Sequence, residues 1–131
     1  MDGRQARQVW FGTRLDNCHG GVVLIEGFLY GSGCRMYNKG LHCMDFRTGR
    51  VRYQAEEIGK VSLTYADGLI YCLGNDGEVL LVRATPEAAR IVSRFTLPRA
   101  DKENTLSHPV VCGGRLYVRH LDDLFAYDLR Q

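Results

Sequence analysis

Two histidines are the side chains of this sequence best suited to bind a metal ion or an anion. His19 and His108 each stand just ahead of an apolar segment of the same type, so a repeated fold brings them to equivalent places. Imidazole nitrogens bind transition metals, but a metal site needs ligands that converge on one point at about 2 Å. Sequence shows no such convergence, and histidines that only hydrogen-bond the backbone are the alternative interpretation.

A second set of polar side chains is suited to hold a small anion or a peptide carboxylate. Arg119 and His120 end a predicted strand, while Arg35 and Tyr37 lie in a long connection on the same side of the fold. Arginine binds carboxylates through charge-assisted hydrogen bonds. A charged, solvated surface is the alternative. The predicted ligand-binding residues are His19, Arg35, Tyr37, His108, Arg119 and His120.

The sequence contains no set of residues that we predict to be catalytic. Asp16 and His19 are of the types that exchange protons in acid–base catalysis, but no nucleophile is paired with them. Ser107 and His108 are adjacent, and neighbours on a strand point to opposite faces. We therefore expect neither catalytic residues nor a bound cofactor or metal.

The five cysteines form an odd set without a Cys-x-x-Cys pair. We interpret them as small buried side chains in a reducing cytoplasm. A disulfide and a metal site are the alternatives. The five residues are Cys18, Cys34, Cys43, Cys72 and Cys112.

The elements that must position these side chains form an internal repeat. A glycine, two residues of which the second is aliphatic, and a tyrosine recur three times. The tyrosines, Tyr30, Tyr71 and Tyr117, are 41 and 46 residues apart. A period of about 40–50 residues made of short strands indicates the blades of a β-propeller.

Each repeat is predicted to contain four strands, of which the first two are joined by a tight turn. The turns are Glu26-Gly27, Asp67-Gly68 and Gly113-Gly114, residues that readily take the positive φ angles of two-residue hairpins. We therefore predict an all-β fold in a single domain of residues 1–131. Its blades lie at about 20–54, 60–96 and 107–131, with a strand at 8–11 that completes a blade.

The third repeat ends before its fourth strand, and a strand of that kind stands alone at the N-terminus. Its Trp10 lies 43 residues before Tyr53, which lies 42 residues before Phe95. Three blades are too few to close a ring, since propellers usually have about four to eight. We predict a six-bladed homodimer in which Val9, Trp10 and Phe11 complete the last blade of the partner chain. A fragment of a longer propeller is the alternative.

The connections between blades, and those between second and third strands, come to one side that we name the long-loop face. We expect a binding site there, because loops on a rigid scaffold carry most binding residues. The long-loop face comprises residues 13–19, 32–40, 55–60, 75–77, 98–107 and 120–123.

One segment carries a family resemblance. Leu41–Tyr53, with Asp45 and Thr48-Gly49 in its turn, resembles the repeat of the quinoprotein-like (PQQ-type) β-propellers. Leu124–Asp128 is similar to the first half of that repeat and Val9-Trp10 to its second half, whereas Arg83–Glu87 departs from it. The resemblance implies a propeller. It does not imply quinone chemistry, because the adjacent cysteines and calcium ligands of the family's dehydrogenases have no counterparts here.

The composition argues against nucleic-acid and membrane partners and predicts a location in the cell. The net charge is only +2, and the arginines are scattered along the chain. The sequence therefore predicts no basic stripe that would bind nucleic acid. No apolar run of about 18 residues could span a membrane, and Met1–Gln5 lacks the apolar segment of a signal peptide, so we expect a cytoplasmic protein.

We predict a non-catalytic binding or scaffold propeller that recognises a peptide or small ligand on its long-loop face. One alternative is a small-molecule enzyme with a site at the mouth of the pore, assisted by a metal on His19 and His108. The other is a fragment of a larger propeller without a function of its own.

Overall fold

In a computed structural model, the chain is described over residues 6–98, 100 and 105–130. Across these ranges it forms eleven strands in three antiparallel sheets and no α-helix, so the predicted all-β class is confirmed. The same part of the chain has no helix long and apolar enough to cross a membrane. Two short 3-10 turns, Met36–Asn38 and Glu56–Ile58, lie in the connections.

The strands follow the repeat closely. The first sheet has the order β1 (Val22–Ile25), β2 (Phe28–Gly33), β3 (Gly40–Asp45) and β4 (Val51–Ala55). The second has the order β5 (Val61–Ala66), β6 (Leu69–Gly74), β7 (Glu78–Ala84) and β8 (Ala89–Thr96). The third has only three strands, β9 (Val110–Cys112), β10 (Arg115–His120) and β11 (Asp123–Asp128).

The hairpin turns between the first two strands of each sheet have the predicted geometry. Glu26 and Gly27 have φ angles of 47° and 85°, and the other two turns are alike. Positive φ at both turn residues matches the right-handed twist of the flanking strands. This explains why glycine occupies the second turn position each time.

The second sheet lies between the other two and is covered on both faces. Its β5 contacts β1 on one side and β9 on the other. Tyr30 packs in the apolar cluster between the first and second sheets, and Tyr71 packs in the cluster between the second and third. Because side chains alternate along a strand, one strand such as β6 serves both clusters.

The equivalence predicted between Tyr53 and Phe95 is not the one found in the sheets. Tyr53 pairs with Cys43, the residue just before a bulge in which Arg52 of β4 is the extra residue. In the second sheet the corresponding residue before the bulge is Leu81, and it pairs with Ser93. Phe95 therefore lies two residues further along its strand than the repeat spacing indicated.

The N-terminal segment crosses the outer face of the first sheet without forming a strand. The Trp10 Nε1–H donates a hydrogen bond of 2.9 Å to the Phe46 carbonyl. A Cβ on Gly49 would lie only 2.5 Å from the Trp10 ring, so the indole rests directly against the glycine. The predicted strand 8–11 thus has no neighbouring strand within the described chain, and β11 is left at the edge of its sheet.

The interpretation of the cysteines as free thiols is wrong for two of them. Cys18 and Cys34 form a disulfide, with Cα atoms 5.7 Å apart. The Cys34 amide donates to the Asp16 carboxylate at 2.8 Å, and the Asn17 amide donates to the Ser32 carbonyl at 3.0 Å. These bonds hold the segment before β1 against the end of β2. Of the other three cysteines, Cys43 and Cys72 are buried and Cys112 is exposed.

Candidate ligand-binding site

A cleft of about 390 Å³ opens on the long-loop face between the first and second sheets. It is formed by the 3-10 turn before β5, by the β6–β7 turn and by the end of the β2–β3 connection. Its walls are mostly charged. The residues that line it are Lys39, Glu56, Glu57, Ile58, Gly59, Lys60, Gly74, Asn75, Asp76, Glu78 and Leu80.

One wall is fixed by the 3-10 turn Glu56–Ile58. Ile58 is buried in the apolar cluster between the two sheets and anchors the turn. Gly59, with a φ of 74°, ends the turn and donates its N–H to the Glu56 carbonyl at 3.0 Å. Glu56 and Glu57 are left exposed at the mouth of the cleft.

The opposite wall is the tight turn between β6 and β7. Gly77 donates its N–H to the Gly74 carbonyl at 3.0 Å, and the Asp76 carboxylate accepts the N–H of Glu78 at 3.1 Å. The Glu78 carboxylate also lies 3.4 Å from an Arg94 guanidinium nitrogen. The acidic groups of this wall are thus bonded by the protein, whereas no hydrogen bond or ion pair within the described residues holds the side chains of Glu56 and Glu57.

The charges of the cleft do not cancel. Four carboxylates line it, from Glu56, Glu57, Asp76 and Glu78, against two ammonium groups, from Lys39 and Lys60. The Arg94 guanidinium that pairs with Glu78 adds a third positive charge, so one carboxylate remains in excess. A site with an excess of one charge attracts ligands of the opposite charge and slows the approach of like-charged ones. The cleft therefore favours a ligand that carries positive charge.

The two predicted histidines meet at the start of β1 and β9. The His108 Nε2–H donates to the His19 carbonyl at 2.7 Å, so this imidazole bonds the backbone. Burial lowers the pKa of His19, and the nearby positive charges of Lys60 and His108 lower it further. Within the described residues, no three His, Cys, Asp or Glu side chains converge as metal ligands.

The predicted pair Arg35 and Tyr37 lies in the β2–β3 connection, from which Lys39, and neither member of the pair, lines the cleft. The Tyr37 side chain is 88% exposed, two residues before Lys39. The Arg35 Nε lies 3.8 Å from the Asp16 carboxylate, and its guanidinium is largely exposed. The backbone N–H of Cys34 is the main cause of the lowered pKa of Asp16. This pair is available to a ligand that extends beyond the mouth of the cleft.

The predicted residues of the third sheet lie elsewhere. His120 is only 2% exposed, and its Nδ1 lies 2.7 Å from the Thr105 hydroxyl oxygen. Arg119 is exposed and donates to the Leu121 carbonyl at 3.2 Å. The six predicted residues therefore occupy three places: the β2–β3 connection, the meeting point of the histidines and the end of β10.

The residues that dominate the cleft were missed at the level of sequence. Glu56 and Glu57 lie within the connection 55–60, which was assigned to the long-loop face without attention to its charge. An acidic pair between two strands, followed by Lys60, was the available signal. The opposing Asp76 comes from another connection, and its proximity depends on how the two sheets pack.

No protein-family model matches this chain, and no curated protein is significantly similar to it in sequence. The resemblance to PQQ-type repeats stays a prediction. The geometry of the cleft is therefore the basis for any statement about function.

Proposed function

We propose that the three sheets are blades of a β-propeller that serves as a non-catalytic binding scaffold, and that its cleft binds a cationic peptide. The order of strands supports the propeller, because each sheet meanders outward from its first strand. The first strands β1, β5 and β9 lie together, as the inner strands of neighbouring blades do.

The turn between β3 and β4 also supports a propeller of the PQQ type. The Asp45 Oδ1 accepts hydrogen bonds from the Thr48 N–H at 2.8 Å and from the Thr48 hydroxyl at 2.9 Å. These bonds are the main reason that the pKa of Asp45 is lowered. Gly49 follows with a φ of 70°, a conformation that favours glycine. Asp45, Thr48 and Gly49, the residues of this turn that carry the resemblance, thus each help to fix its conformation.

The observation that carries the binding proposal is the excess of carboxylates in the cleft. Glu56 and Glu57 are exposed and held by no protein partner among the described residues, so a basic side chain can reach them without breaking an existing bond. A volume of about 390 Å³ accommodates a few side chains rather than a folded domain. A short peptide that contains lysine or arginine fits both conditions.

Fluorescence anisotropy with labelled peptides tests this proposal. We expect a peptide of alternating arginine and glycine to bind, and a glutamate–glycine peptide of the same length not to bind. The double variant Glu56→Lys/Glu57→Lys should weaken binding about fivefold or more, since each exposed ion pair is worth up to about 1 kcal/mol. Added salt should weaken binding to the wild type.

Glu87→Lys is a control outside the cleft for the single variant Glu56→Lys, since both change the net charge by +2. Glu87 is exposed in the β7–β8 turn, outside the cleft and outside the long-loop face. We expect this variant to bind the arginine peptide as the wild type does. Equal loss in the control, or equal binding of the acidic peptide, would contradict a specific site in the cleft.

The predicted cytoplasmic location remains part of the proposal, with one observation against it. Disulfides such as Cys18–Cys34 persist mainly in oxidising compartments. Thiol labelling of the protein directly after extraction from cells tests the location: three reactive thiols after denaturation indicate the disulfide, and five indicate a reducing compartment.

A further inference from the structure

Two edges of this chain are incomplete, and they complement each other. The third sheet ends at β11, which has β10 on one side and no strand on the other among the described residues. The N-terminal segment, residues 6–12, lies beside the first sheet and pairs with no strand among the described residues. Val9 and Phe11 of this segment are each 77% exposed.

The face of the third sheet that points away from the second is also uncovered. Tyr30 and Tyr71 are both buried because the next sheet packs over them. Tyr117 holds the same place in the third sheet but is only half-buried. Beside it Val110 is 53% exposed and Leu124 is 70% exposed. This face has the apolar character of a covered blade and lacks its cover.

The contact of Trp10 shows what the N-terminal segment replaces. On the outer strand of the second sheet, the Phe95 ring packs on Tyr127 of the third sheet, with centroids 4.7 Å apart. The N-terminal segment packs on the first sheet in the corresponding way: Gly12 lies beside Met44, the counterpart of Tyr127, while Trp10 rests against Phe46 and Gly49. Residues 8–11 therefore stand where the outer strand of a preceding sheet would stand, and no inner strands of such a sheet accompany them among the described residues.

We propose that a second copy of this chain supplies the missing strands, so that the N-terminal segment of each copy pairs with β11 of the other. Each third sheet then gains its fourth strand, and its uncovered face packs against the first sheet of the other copy. The result is a two-fold ring of six sheets, a closed assembly without sheet edges at the junctions.

The N-terminal segment is poorly placed to pair with β11 of the same chain. Closure within one copy would make a ring of three sheets, below the four or so of the smallest usual propellers. It would also require β1 and β9 to pack along their lengths, whereas the His108–His19 bond joins only the segments ahead of these strands and each strand packs on β5. A second copy satisfies both edges at once.

The repeat also fixes the register of the proposed pairing. Leu124 corresponds to Leu41, since each pairs with the residue two positions after the repeated tyrosine. Leu41 in turn pairs with Ala55, two residues after the aromatic residue of β4. Gly12 stands two residues after Trp10 in the same way. Gly12 of one copy should therefore lie opposite Leu124 of the other.

Light scattering on a sizing column gives the first test. We expect the wild type to have twice the chain mass of 14.8 kDa down to low micromolar concentration. Leu124→Lys should be a folded monomer, because a charge at this exposed position harms only the junction. The matched control is Val92→Lys, at a 48% exposed position on the outer strand β8, and it should remain a dimer. A monomeric wild type would overturn the proposal.

A cross-link distinguishes exchange between copies from closure within one. In a Cys112→Ser background, Gly12→Cys and Leu124→Cys place one thiol on each proposed strand. A Cβ at Gly12 meets only the Met44 methyl group at 3.9 Å, so the fold tolerates the substitution. Mild oxidation should give a disulfide-linked species of two chains on a non-reducing gel. A cross-link at the mass of one chain, or a ladder of higher oligomers, would refute the two-fold exchange.

The inference rests on the propeller arrangement proposed above but not on the cleft, which lies between two sheets of one chain. A monomeric protein that binds the arginine peptide would contradict the dimer proposal and not the binding proposal. A dimer that binds no peptide would remove the binding proposal alone.

Discussion

The second and third sheets are built from the same repeat but differ in what covers them. Val79 and Leu124 hold corresponding positions on the third strand of each sheet, two residues before the partner of the repeated tyrosine. Val79 is 0% exposed and Leu124 is 70% exposed. The difference teaches that the repeat specifies strands and turns, whereas burial depends on which neighbour packs on each sheet. The exposed Leu124 is where we propose that a second copy packs.

The largest effect should come from an aspartate at these two positions. Val79→Asp buries a carboxylate without a partner, so we expect a loss of more than about 4 kcal/mol in the free energy of unfolding. Leu124→Asp should change the unfolding of a single chain by no more than about 0.5 kcal/mol. Urea unfolding followed by circular dichroism measures both. Any further loss at Leu124 should depend on protein concentration, because it reflects lost association.

The next effect concerns the thiols of the same two sheets. Burial raises the pKa of Cys72 in the second sheet to about 12 from 9.0. The folded-state pKa exceeds the unfolded one, so this burial stabilises the fold fully below about pH 9, and the contribution is lost as the pH rises towards 12. We expect the free energy of unfolding to fall over this window, with a smaller slope in Cys72→Ala.

Thiol reagents provide the contrast with the third sheet. Cys112 shares the uncovered face with Val110, so it should react at once in the monomeric variant Leu124→Lys and more slowly in the proposed dimer, whereas Cys72 should react only as the protein unfolds. Equal rates for both thiols would contradict the difference in cover between the two sheets.

The smallest of the three effects should come from the Cys18–Cys34 disulfide, which fixes the segment leading from the N-terminus into the first sheet. The bond closes a loop of sequence separation 16, so its loss should cost about 3 kcal/mol by the chain-entropy account. The double variant Cys18→Ser/Cys34→Ser should show this loss in urea unfolding. A reductant should produce the same loss in the wild type and none in the variant. A reductant that left the wild type unchanged would mean that the bond does not stabilise the fold.

The sequence predicted the strands well because their signals are local. The turns Glu26-Gly27, Asp67-Gly68 and Gly113-Gly114 were predicted where they are found, between β1 and β2, β5 and β6, and β9 and β10. The fourth strands were predicted less well. The β7–β8 connection is two residues longer than the β3–β4 connection, since Val82 pairs with Ile91 but Met44 with Val51, and this shifted the alignment of Phe95.

The cleft and the disulfide depend on contacts between distant segments, which a single sequence does not record. Cys18 and Cys34 lie in irregular connections, and their approach follows from the bonds of Asp16 and Asn17. The carboxylates of Glu57 and Asp76 come together only because two sheets pack side by side. Side-chain types were thus predictable at these sites, and their juxtaposition was not.

The position of Trp10 makes its fluorescence a reporter of the N-terminal segment. Trp10 is the only tryptophan of the chain, and its indole rests on the turn of the first sheet rather than in either apolar cluster. Its emission therefore responds to detachment of the N-terminal segment and is largely blind to the packing between sheets. Recorded beside circular dichroism, it separates detachment of the N-terminal segment from unfolding of the sheets.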